Sequence, residues 1–120
     1  QPARPKQRGR ERERVLSRRQ ALGLQLELKR GFQEGAFQQR LRDLEARHEG
    51  RTPAFEAERR ALFMTVQQAV LPRYGFQGDV HGLLSMMWAF QAFVSDPEFV
   101  RESNEICLLL GLHEQLLPTP

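Results

Sequence analysis

With a single cysteine, Cys107, the chain cannot form an internal disulfide or a zinc site built on several thiolates. A lone thiol fits a reducing compartment. The expected location is therefore intracellular, cytoplasmic or organellar, and not secreted. Isoleucine occurs once and threonine three times among 120 residues, so the β-branched residues that favour strands are scarce. Long hydrophobic runs are also missing. The longest stretch free of charge, counting His81 as neutral, is the 16 residues from Val80 to Ser95. About 20 apolar residues are needed to span a bilayer, so no membrane span is expected. The first residues are rich in arginine and have no apolar core, which excludes a secretory signal there.

Net charge says little until it is divided along the chain. The formal value is only +3, from 18 basic and 15 acidic residues. Residues 1–19 hold eight of the basic residues and two of the acids, a local +6, and the remainder carries −3. Arginine dominates, 16 to two lysines. The reading is a basic flexible arm over 1–16, a single helical domain over 17–117, and a short tail over 118–120. Pro2, Pro5 and Gly9, with no large apolar residue up to Arg14, predict an arm that is disordered or extended when alone.

The body is made of helix formers: leucine, alanine, glutamine, glutamate and arginine. Ser17 can cap a first helix over 18–31, with Ala21, Leu24, Leu28 and Phe32 on one face. Leu22, Leu24, Leu26 and Leu28 also alternate as in a strand, but the flanking residues favour helix. Gly31 and Gly35 mark a break. A second helix over 35–49 sets Phe37, Leu41 and Leu44 on one side, with Gly50 at its C-terminal cap. Thr52 caps a third, with Pro53 in the first turn, where its missing N–H costs nothing. That helix runs to about 74, with Phe55, Leu62, Phe63, Val66, Ala69, Val70 and Tyr74 as its apolar stripe. Pro72 falls in its last turn and should free the carbonyl of Gln68. Tyr74-Gly75-Phe76 reads as a Schellman ending. Asp79 caps a fourth helix over 80–95, which is apolar nearly all round, so it is either central in the core or covered by a partner. Asp96 and Pro97 start a fifth, packed through Phe99, Val100, Ile106 and Leu110 and ended by Gly111. The fold class is all-α: a compact bundle of about five helices with an extended basic N-terminal arm.

The run from Val66 to Phe76 (Val-Gln-Gln-Ala-Val-Leu-Pro-Arg-Tyr-Gly-Phe), then Asp79, Gly82-Leu83-Leu84 and Asp96-Pro97-Glu98, resembles the C-ten protein family of small eukaryotic helical proteins. Leu16-Ser17, Gln20-Ala21, Phe32 and Asp43-Glu45-Ala46-Arg47 fall in compatible places, so the resemblance covers roughly residues 16–117. It implies an all-α, soluble, intracellular protein. It does not imply an activity or point to a catalytic residue. The chain departs from the family pattern at Pro72, at Met86-Met87-Trp88 and in the basic arm.

Chemistry-bearing constellations are few. Asp79, His81 and Ser85 lie within seven residues, but Asp79 is spoken for as a cap, and no nucleophile elbow accompanies them. His48, His81 and His113 form no close ligand pair, and His48 beside Asp43, Glu45 and Glu49 reads as a solvated helix end rather than a metal site. Gly75, Gly78 and Gly82 lack the Lys-Ser/Thr of a phosphate loop and read as backbone punctuation. Cys107, in an apolar stretch, reads as a small buried hydrophobe. No catalytic residue, cofactor site or metal site is expected.

What remains is surface. One helix of a small bundle cannot hide every face, and methionine and tryptophan are enriched at interfaces. The expected function is a non-catalytic interaction protein, a small subunit or adaptor of a larger assembly. Its expected partner contacts are Met86, Trp88, Phe90 and Phe93, with Arg4, Arg8, Arg10 and Arg12 of the arm reaching an acidic neighbouring surface. The alternative is a nucleic-acid-associated protein whose arm binds phosphates. Alternating signs over Arg10–Arg14 and the lack of interleaved aromatics disfavour it.

Overall fold

A computed structural model describes residues 15–118. Five α-helices follow in order: α1 (Arg18–Gln33), α2 (Gly35–Arg47), α3 (Pro53–Val70), α4 (Val80–Phe90) and α5 (Pro97–Leu110). Short 3-10 turns extend α3 (Leu71–Tyr74), α4 (Gln91–Phe93) and the chain after α5 (His113–Gln115). Among the described residues there is no strand, and the all-α bundle expectation holds for them. The arm expected over 1–16, with Arg4, Arg8, Arg10 and Arg12, lies outside the described residues up to position 14.

The helix starts are set locally. The Ser17 hydroxyl accepts from the Gln20 amide at 3.0 Å, and the Gln20 side chain accepts from the Ser17 amide at 2.8 Å, a reciprocal capping box. Thr52 caps α3 through the Phe55 amide at 3.1 Å. Asp79 caps α4 through the Gly82 amide at 3.1 Å. Asp96 accepts from the first amides of α5, those of Glu98 and Phe99. Each cap satisfies a donor that the helix geometry leaves unpaired.

Four helix boundaries depart from the sequence expectation. α1 continues to Gln33, because Gly31 is not a break: a Cβ there would stand 2.5 Å from Val66 Cγ1. That glycine lets α1 and α3 approach closely, and the chain turns at Glu34 instead. α2 stops at Arg47 with His48 extended, so Gly50 (φ 80°) lies past the cap. α3 gives way to a 3-10 turn at Leu71, since Pro72 has no N–H to bond the Gln68 carbonyl. The space beside that carbonyl is filled by Gly78, where a Cβ would lie 2.8 Å from the oxygen. α4 ends at Phe90, and the tighter turn that follows brings Phe93 beside Phe99. The Schellman ending holds: Phe76 N–H donates to the Leu71 carbonyl and Gly75 (φ 87°) to Pro72, each at 3.2 Å.

The core forms around α1, which buries Ala21, Leu24, Gln25, Leu28 and Phe32 and packs on α5 and α3. Phe32 sits with Phe37 (5.2 Å) and Phe63 (6.1 Å) in an aromatic cluster joining α1, α2 and α3. The central helix is thus α1 and not α4. The α3 stripe is buried at Phe55, Leu62, Phe63 and Val70, half-buried at Val66 and Tyr74, and exposed at Ala69. Besides Ser85 of α4, two long polar side chains are buried that the apolar pattern does not flag. Gln25 donates through Nε2 to the Phe99 carbonyl (3.0 Å) and to Ser103 (2.8 Å). Arg59 pairs with Glu56 at 2.7 Å and lies over the rings of Phe55 and Phe63, at 5.1 and 5.9 Å.

Ion pairs tie the helices together at the surface. Arg18 holds Asp96 (2.6 Å) and Glu98 (2.7 Å), and Lys29 holds Glu102 and Glu105. Glu27 accepts from the Tyr74 hydroxyl (2.6 Å) and from Arg73 (2.7 Å). The hydrogen bond from Arg18 holds the Asp96 carboxyl below its ordinary 3.8. Tyr74 lowers Glu27, and Lys29 lowers Glu105, from 4.5. Carboxyls depressed in the fold stabilise it above their unfolded values and lose that contribution as pH falls through the folded ones. Thermal denaturation is therefore expected to show loss of stability setting in below about pH 4.5. Arg18→Met should make that loss shallower, because Asp96 then returns toward its ordinary value. An unchanged acid profile in the variant would contradict the pairing.

Candidate interaction surface

The fourth helix has two unlike faces. Gly82, Ser85, Met86 and Ala89 are buried. Three of these four are small, and they line the side where α4 meets the rest of the fold. Gly82 is the tightest point: a Cβ built on it would run into the carbonyl oxygen of Gln77. The loop before α4 is folded over the helix's first turn, and only glycine fits beneath it.

The opposite face is an apolar row in the open. Val80, Leu84, Met87 and Trp88 recur at intervals of four, seven and eight residues, which places them on one helix face. They are 54%, 57%, 51% and 68% exposed, and Val94, just past the 3-10 turn, is 47% exposed. No charged residue occurs between Val80 and Ser95 to interrupt the row. Other exposed large apolar residues, Leu26 on α1 and Leu108 on α5, sit on other helices. Scattered single residues of that kind are ordinary, whereas a contiguous row is not.

The residues expected to contact a partner fare differently. Trp88 is where the expectation needs it, on the exposed row. Met86 is 5% exposed and belongs to the core, which removes it from the surface. Phe90 and Phe93 are half-buried, with their rings set against Phe99 at 4.9 Å (edge-on) and 5.6 Å. They brace α4 on α5 more than they face outward. Val80, Leu84, Met87 and Val94 are apolar residues of this segment that the expected partner contacts leave out. The signal that could have found them is the row of small residues: Gly82, Ser85 and Ala89 mark the buried side and so fix the phase of the helix.

The remaining constellations resolve into structural roles. Asp79 is the α4 cap, His81 is exposed and Ser85 is buried, and among the described residues no hydrogen bond links the three. His48 is not solvated. Its side chain is 17% exposed, its Nε2 lies 2.9 Å from Glu58, and its ring meets Phe55 edge-on at 5.5 Å. That contact holds the Glu58 carboxyl below its ordinary 4.5. Cys107 is half-buried rather than enclosed. A cleft of about 190 Å³ lies between the loop before α3 and the end of α5, lined by Glu45, His48, Arg51, Phe55 and Arg59. Within this lining, His48 is engaged with Glu58 and Arg59 with Glu56. Among the described residues, no three potential ligands cluster so as to hold a metal ion, and no helix is long and apolar enough to cross a membrane.

Comparison with known protein families, with curated proteins and with solved structures finds no match.

Proposed function

We propose that this chain is a non-catalytic helical interaction protein, a small subunit or adaptor that docks a protein partner on the outer face of α4. The observation that carries the reading is the exposed, uncharged row Val80, Leu84, Met87 and Trp88 on a helix whose other side is anchored in the core. Leaving such a row in water forgoes the burial that stabilises apolar side chains, at roughly 25 cal/mol per Å². A partner that covers it recovers that contribution. Trp88 is the natural anchor, since tryptophan at the centre of an interface often carries 2 kcal/mol or more. The arm, with Arg4, Arg8, Arg10 and Arg12, would add attraction to an acidic surface of the same partner, which speeds association more than it tightens it.

Affinity purification from native extract tests the reading with three variants. Trp88→Glu and Leu84→Glu are expected to lose the same stoichiometric partner. Leu26→Glu, on α1, should keep it. Trp88→Ala should weaken the isolated complex by roughly 30-fold. If all the variants hold the partner equally, or the native protein runs as a monomer, the docking face is wrong.

A further inference from the structure

A second surface carries an inference of its own, independent of α4. After Gly111 (φ 75°) caps α5, the chain makes a 3-10 turn and doubles back. Leu117 then comes to lie beside Asn104, which is six residues, about 9 Å, before the end of the helix. There one side chain satisfies both backbone groups of one residue. Asn104 Nδ2 donates to the Leu117 carbonyl at 3.0 Å, and the Leu117 N–H donates to Asn104 Oδ1 at 2.7 Å. A side-chain amide presents one acceptor and donors in the arrangement of a peptide group, so it can pair with any extended backbone as a neighbouring strand would.

The pairing recognises backbone and not sequence, which makes the segment replaceable. Its start is anchored, since Leu112 packs against the core and donates its N–H to the Cys107 carbonyl at 2.8 Å, and the side chains near its end are more loosely held. Leu116 is 41% exposed and Leu117 only half-buried. The turn's own bonds, Gln115 N–H to Leu112 and Leu116 N–H to His113, remain when the segment swings away. Beside Asn104 on the same helix face, one turn on, lie Cys107 and Leu108, the latter 52% exposed. They make the helix surface next to the amide apolar.

We propose that Asn104 with this face of α5 is a binding site for an extended, leucine-bearing peptide, closed in cis by the end of the segment, residues 116–117. The tail is the resident ligand. A partner segment with an extended backbone and an apolar side chain replaces it, and the tether opposes that exchange at an effective concentration in the millimolar range.

The test uses the full-length protein and a fluorescein-labelled peptide copying residues 112–118 (Leu-His-Glu-Gln-Leu-Leu-Pro). Leu117→Pro removes the N–H that reaches Asn104 and should release the tail. The labelled peptide is then expected to bind this variant at least about tenfold more tightly than the wild type. Asn104→Asp keeps the size but loses the donor, and combined with Leu117→Pro it should abolish the gain. In the wild type, hydrogen exchange at the Leu117 amide should be slowed, and Asn104→Leu, which removes the acceptor, should speed it about tenfold without changing exchange in α1. Two results overturn the proposal: no affinity gain in Leu117→Pro, or peptide binding that survives Asn104→Asp. Should a variant lose its helical circular dichroism, the wild-type Leu117 amide decides: fast exchange there refutes the clamp and slow exchange supports it.

Discussion

Phe32→Ala is expected to destabilise the fold by about 3–5 kcal/mol, the largest single effect among core substitutions here. The ring is 1% exposed and meets Phe37 and Phe63, so three helices share the space it fills. Its removal loses the transfer free energy of the ring and leaves a cavity that two other rings cannot collapse into without abandoning their own positions. A domain of this size has a total stability of roughly 5–15 kcal/mol, so the loss is a large share of it. Thermal unfolding should fall by at least about 12 °C. Phe93→Ala, at a half-buried site, should cost visibly less. Equal losses at the two positions would mean that the aromatic cluster is not the centre of the core.

Gly82→Ala is expected to cost about 2–3 kcal/mol, although alanine is the better helix former and would ordinarily gain stability at a helical position. The reason is the Gln77 carbonyl folded over the first turn of α4, where no Cβ fits. A clash with backbone cannot be relieved by a rotamer change. The loop must lift, and with it goes the geometry in which Asp79 caps the Gly82 amide. Gly35→Ala provides the opposite sign. Nothing lies within 4 Å of its would-be Cβ, so that substitution should be neutral or stabilising by up to about 1 kcal/mol. Paired denaturation curves measure both, and a stabilised Gly82→Ala would contradict the close approach.

Local chemistry was legible in the sequence, and long-range packing was not. Ser17, Thr52-Pro53, Asp79 and Asp96-Pro97 announce helix starts because a cap acts on amides two or three residues away. Gly75 and Gly111 announce helix ends for the same reason. Gly31 misled because its role depends on Val66, a residue of another helix. Gln25 and Arg59 look like surface residues until their partners are known. The groups that receive Gln25, Phe99 and Ser103, lie more than 70 residues away. In α4 the difficulty was phase. When nearly every position is apolar, periodicity does not say which side faces in, so the sequence puts Met86 among the partner contacts and leaves Leu84 out of them. The small residues Gly82, Ser85 and Ala89 held that information.

The candidate surface rests on one physical statement: the Trp88 indole is in water in the free chain and covered in the assembly. As the chain has a single tryptophan, its fluorescence reports on that residue alone. In the purified free protein, Trp88 should show the red-shifted emission of a hydrated indole and be quenched freely by acrylamide. In the complex recovered from native extract, with a partner part free of tryptophan or with Trp88 selectively labelled, emission should shift to the blue and quenching should fall several-fold. A blue-shifted, poorly quenched Trp88 in the free chain, or no change on assembly, would contradict the account.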